Sequence, residues 1–103
     1  MSDTYCVNAE VRKTREFQEW LDGLKEARAY ARIETRIFRL SLGLSGDVKP
    51  VGKGVSELRI DEGPGYRVYF TRRGRTLIVI LAGGDKSTQA RDIRTAMKLA
   101  STL

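Results

Sequence analysis

Arg59, Arg67, Tyr69 and Lys86 fall on two strand patterns and at the end of a third, so that one surface of the folded chain would gather them. A guanidinium presents a planar fork of donors that matches phosphate oxygens, and two of them side by side make a cradle for one phosphate. A lysine ammonium next to them adds charge and a proton to transfer, while a tyrosine offers a hydroxyl proton or a ring on which a base can stack. Cleavage of an RNA strand by its own 2′-hydroxyl needs that proton removed, the charge building on the phosphate neutralised, and the departing 5′-oxygen protonated. Fixed cations suit the second need best. Lys49 and Lys53 upstream of Arg59, and Arg72 and Arg73 downstream of Tyr69, extend the positive surface along a phosphate chain as RNA-binding residues. Arg59 and Arg67 also have a plainer use, pairing with Glu57, Asp85 or other acids to stabilise an exposed sheet face.

Composition narrows the chemistry further. No histidine occurs among the 103 residues, which excludes Ser-His-Asp triads, histidine-based ribonuclease chemistry and histidine metal sites. Catalysis then falls to Lys, Arg, Tyr, carboxylates or the 2′-hydroxyl of the RNA itself. No acidic constellation suggests a magnesium-dependent nuclease, and no metal or other cofactor is expected. Nineteen Lys and Arg against 13 Asp and Glu give a net charge of +6, a balance suited to an anionic partner such as nucleic acid or to solvated basic faces. Cys6 is the only cysteine, so it reads as a buried side chain in a reducing cytoplasm. No apolar run is long enough to span a membrane, and no signal-peptide core opens the chain.

The elements that must position the four residues follow from patterning. From Val55 to Ile60, Leu58 and Ile60 point one way while Glu57 and Arg59 point the other. From Tyr66 to Phe70, Tyr66, Val68 and Phe70 share one face, and Arg67 and Tyr69 the opposite one. Asp61-Glu62-Gly63-Pro64-Gly65 between them predicts a reversal and hence an antiparallel hairpin. A second reversal at Arg72-Arg73-Gly74-Arg75 leads to Leu77-Ile78-Val79-Ile80-Leu81, apolar throughout and so a central strand covered on both faces. Gly83-Gly84 is expected to break that strand, with Ser87 or Thr88 capping a last helix whose stripe is Ile93, Ala96, Met97 and Ala100.

Upstream, Tyr5 to Val11 reads as a strand able to pair with the remaining edge of the sheet. Thr14 caps a short helix with Phe17, Trp20, Leu21 and Leu24 on one stripe. A longer helix runs from Lys25 to about Leu42, with Tyr30, Ile33, Ile37, Phe38 and Leu40 in an apolar arc and Arg28, Arg32, Arg36 and Arg39 on the other side. Glu34 falls inside the apolar arc against the pattern. Leu44 to Gly54, rich in glycine and holding Pro50, reads as a loop. The order β-α-α-β-β-β-α gives a single α+β domain over residues 1–103, an antiparallel sheet with helices packed against it.

Ser56-Glu57-Leu58-Arg59-Ile60, Gly63-Pro64-Gly65-Tyr66-Arg67-Val68-Tyr69-Phe70 and Gly83-Gly84-Asp85-Lys86-Ser87-Thr88-Gln89 resemble the RelE/ParE toxin superfamily, in its phage-derived addiction module killer protein branch related to HigB. The resemblance implies a RelE-like fold and the toxin of a type II toxin–antitoxin system, a ribosome-dependent, metal-independent endoribonuclease that cuts messenger RNA and inhibits translation. It implies a cytoplasmic protein whose partners are the ribosome, messenger RNA and a cognate antitoxin of helix-turn-helix type in a hetero-oligomer. Arg67 matches the family's strand arginine and Lys86 the basic residue after its last strand; Arg59 and Lys53 match its basic positions approximately. Family members often carry Tyr or His near the C-terminus as acid or base, whereas Lys98 to Leu103 holds neither. A ParE-like inhibitor of DNA gyrase shares the fold, and a non-catalytic nucleic-acid or partner-binding module is the third reading.

Overall fold

Thr14 ties the first helix to the sheet. In the computed structural model, which describes residues 8–103, its hydroxyl accepts from the Phe17 N–H at 3.1 Å and donates to the Leu81 carbonyl at 2.6 Å. The cap thus starts α1 (Arg15–Asp22) and fixes it on the central strand. α1 buries Phe17 and Leu21 and sets Trp20 edge-on to Tyr66, ring centroids 6.1 Å apart. α2 (Ala27–Ser41) follows with Ala29, Ile33, Ile37 and Leu40 buried, the inward stripe its period requires. Phe38, placed in that stripe by the sequence, is instead 61% exposed, because it lies one residue round the helix from Ile37. Glu34 is accounted for by its 2.9 Å ion pair with Lys13.

The sheet has five strands, β1 (Glu10–Lys13), β2 (Val48–Gly52), β3 (Val55–Ile60), β4 (Tyr66–Arg73) and β5 (Leu77–Asp85), in the order β1-β5-β4-β3-β2. β2, β3, β4 and β5 form the antiparallel part, and β1 runs parallel to β5 with Val11 opposite Ile78. The expected pairing of a first strand with the remaining edge is therefore present, with parallel polarity. Cys6 and the start of that expected strand lie outside the described residues. The expected loop from Leu44 to Gly54 contains β2: Pro50 breaks the alternation, but an edge strand tolerates a residue without an N–H, and a bulge separates Pro50 from Gly52.

Helices cover both faces. α1 and α2 pack on one face over Leu58, Ile60, Val68, Phe70, Ile78 and Ile80; α3 (Gln89–Ser101) packs on the other over Val55, Tyr69, Leu81 and Ala82. Gly83 and Gly84 do not break β5, which continues through them to Asp85. They are the points of closest approach of the two helical layers: a Cβ on Gly83 would overlap the Trp20 ring, and one on Gly84 would overlap Asp92 and Thr88. The expected cap by Ser87 or Thr88 is also revised. Asp85 caps a single 3₁₀ turn, Lys86–Thr88, by accepting from the Ser87 N–H at 2.8 Å, and α3 continues from that turn.

Candidate functional site

The register of β3, β4 and β5 places Arg59 opposite Arg67 and Arg67 opposite Gly84. Both arginines lie on the α3 face beside the start of α3, Arg59 partly open and Arg67 largely enclosed. What joins them is Glu57. Its carboxylate is 1% exposed and receives three hydrogen bonds and one further ion pair. Oε1 faces Arg67 Nη1 at 3.1 Å and Arg59 Nε at 3.3 Å; Oε2 accepts from Tyr69 Oη at 3.1 Å and Gln89 Nε2 at 2.8 Å. A buried carboxylate requires such partners, and this one has them from β3, β4 and α3 at once.

The two arginines differ in exposure. The Arg67 side chain is 12% exposed and the Arg59 side chain 41%, with Arg59 Nη1 also 4.0 Å from Asp47. Arg67 Nε is buried without a hydrogen-bond partner among the described residues. Arg36, placed by the sequence on the side of the helix opposite the apolar arc, reaches from α2 to donate to the Arg59 carbonyl at 2.9 Å. It thereby fixes the end of β3. Arg59, Arg67, Tyr66, Asp47 and Asp61 line a shallow recess of about 280 Å³.

Tyr69 shares the face of Arg67, as the alternation predicts, but that face is not open at its position. α3 covers it, and the ring is fully buried. Burial, then the neighbouring Glu57 charge and hydrogen bond, push the phenol well above the usual tyrosine range, with Arg67 acting the other way. A neutral hydroxyl held on Glu57 is thus the state of Tyr69, rather than a surface acid or stacking platform. Lys86 is exposed in the turn after β5, one residue beyond the Tyr66–Asp85 pair. Asp85 faces Ser87, whose hydroxyl and N–H hydrogen bonds hold the Asp85 carboxyl below its usual range.

Of the four residues read as RNA-binding, only Lys49 lies beside this site. Lys49 is exposed on β2 in register with Glu57, whereas Lys53 lies in the β2–β3 turn and Arg72 and Arg73 at the far end of β4. Val55 pairs with Thr71, four residues along from the Arg59–Arg67 pair, so about 13 Å separates the two ends. Glu57 was visible in the sequence as a neighbour of Arg59 on the same face. Gln89 and Arg36 carried no signal, since their contacts depend on how α3 and α2 cross the sheet.

Residues 19–102 match the family model described as Phage derived protein Gp49-like (DUF891). The chain belongs to that family. This Gp49-like protein is also 50% identical over 97 residues to a Haemophilus influenzae protein, covering 94% of the present chain and 98% of the other. Its fold is similar to that of a chain in the crystal structure of the RelBE2 toxin–antitoxin complex of Mycobacterium tuberculosis, with a TM-score of 0.63, 23% identity, and coverage of 79% and 94% of the two chains. The RelE-type α+β architecture read from the three sequence motifs is the one the Gp49-like chain adopts.

Proposed function

We propose that this Gp49-like protein is the toxin of a toxin–antitoxin pair and that it cleaves messenger RNA on the ribosome. The observation that carries the reading is the Arg59–Arg67 pair beside the start of α3, oriented by Glu57, with Lys86 exposed in the turn just after β5. The family and the fold shared with a toxin–antitoxin complex support the toxin assignment. In the proposed reaction the 2′-oxygen attacks the adjacent phosphorus while the bond to the 5′-oxygen breaks, leaving a 2′,3′-cyclic phosphate and a 5′-hydroxyl. The 2′-hydroxyl proton passes to a base and the 5′-oxygen takes one up.

Arg67 and Arg59 neutralise the charge on the non-bridging oxygens, the service for which a fixed guanidinium is best suited. Lys86 takes part in proton transfer at the leaving oxygen. Glu57 and Tyr69 act through Arg67: the carboxylate holds the guanidinium, and the phenol and Gln89 hold the carboxylate. The antitoxin is proposed as an acidic partner that the net positive charge steers to this chain.

Brief expression without antitoxin, followed by mapping of RNA ends, tests the reading. New 5′-hydroxyl ends within translated messages support it. Intact messages together with relaxed plasmid and trapped gyrase would assign the chain to gyrase inhibition.

A further inference from the structure

Two turns meet at the opposite end of the sheet from the Arg59–Arg67 pair. Arg72, Arg73 and Arg75 surround Gly74, whose φ of 67° closes the β4–β5 turn, and all three are exposed. Lys53 sits between Gly52 and Gly54 in the β2–β3 turn with φ of 53°, a conformation that strains any residue with a Cβ. The turns are tied together: Thr71 Oγ1 donates to the Gly54 carbonyl at 2.7 Å, and Val55 pairs with Thr71. None of the four cations pairs with a carboxylate among the described residues. Arg59 and Arg67, by contrast, share Glu57. A cluster of unpaired basic charge therefore lies at this end, apart from the two arginines of the proposed site, whose charge is shared with Glu57.

We propose that residues 52–54 and 72–75 form a second RNA contact, which binds the sugar–phosphate backbone about 13 Å along the sheet from Arg67. This rests on the cleavage reading above and gives its binding energy a separate location. The class of partner follows from the surface. Protein interfaces are built round a desolvated apolar or aromatic centre, whereas these turns consist of Gly52-Lys53-Gly54 and Arg72-Arg73-Gly74-Arg75 and expose no apolar side chain of their own. Arginine forks on turn tips suit phosphates reached from outside the protein. Arg73 is also bound to the Ala100 carbonyl at 2.9 Å, so its guanidinium is held in place at the end of α3.

The test is binding of a fluorescent 2′-O-methyl RNA oligonucleotide, which cannot be cut, across a salt series. Wild type is compared with Lys53→Gln/Arg72→Gln/Arg75→Gln and with Arg67→Ala. Loss of three phosphate contacts should weaken binding about tenfold or more and lower the slope of log affinity against log salt by about 2. Arg67→Ala should change that slope by less than about 1. Arg75→Gln alone, at the turn tip, carries the test if the triple variant unfolds. Wild-type affinity and slope in the folded triple variant, with RNA cleavage intact, would overturn the second contact alone. A wild type that neither binds nor cuts RNA would overturn both readings. Lost binding to poly-glutamate with unchanged binding to RNA would give the turns to an acidic protein partner instead.

Discussion

Glu57 changes what a substitution at Arg67 should do. Arg67→Ala removes one of three hydrogen-bond donors from a buried carboxylate, so it should cost about 1–3 kcal/mol of stability rather than nothing. It should also slow cleavage by about 10²-fold or more, as loss of one preorganised donor at a developing anion does. Thermal unfolding and a cleavage assay on the same purified variant separate the two effects. A second expectation concerns Tyr69, whose folded-state pKa is raised by burial and by Glu57. The folded chain keeps this proton where an unfolded tyrosine begins to lose it, near pH 10. The contribution is complete below about pH 10 and is lost progressively above it. Tyr69→Phe should therefore flatten the alkaline fall in unfolding free energy, which titrated denaturant melts would read; an unchanged slope would mean that Tyr69 is not held neutral by the fold. The shared face of Arg59, Arg67 and Tyr69 was legible from alternation alone. The burial of Tyr69 was not, because strand periodicity says nothing about which stretch of a face a distant helix will cover.

Among the elements, β5 carries the heaviest constraint, since both helical layers close on its last residues. Gly84→Ala would drive a methyl group into Asp92 and Thr88, and it should destabilise the protein by about 1–3 kcal/mol, typical of overpacking where backbone and helix cannot both yield. Calorimetry on Gly84→Ala checks this, and a wild-type melting temperature would show that the start of α3 is free to shift. Thr14→Ala should cost about 1–2 kcal/mol, because the hydroxyl both caps α1 and bonds to β5. The helix stripes, the hairpin of β3 and β4 and the central place of β5 could be read from apolar spacing. β2 could not, as its five residues include Pro50 and Gly52 and show no clean alternation. Gly83-Gly84 looked like a break for a related reason: sequence shows the missing side chains but not the Trp20 ring and Asp92 carboxylate that need the space.

For the whole molecule, the net charge of +6 is a poor guide to where chemistry happens, since the two arginines at the proposed site share a buried acid while Lys53, Arg72 and Arg75 have none. Expression without antitoxin should arrest growth and depress translation before plasmid supercoiling changes. The most direct measurement is transcriptome-wide mapping of 5′-hydroxyl RNA ends after a short pulse of expression, comparing wild type with folded Arg67→Ala and Lys86→Ala variants. The account predicts new ends inside translated messages for wild type and their loss in both variants at equal protein levels. Undiminished ends in both variants, or a toxic wild type that leaves messages intact, would contradict the assignment of the Arg59–Arg67 end of the sheet as an RNA-cleaving site.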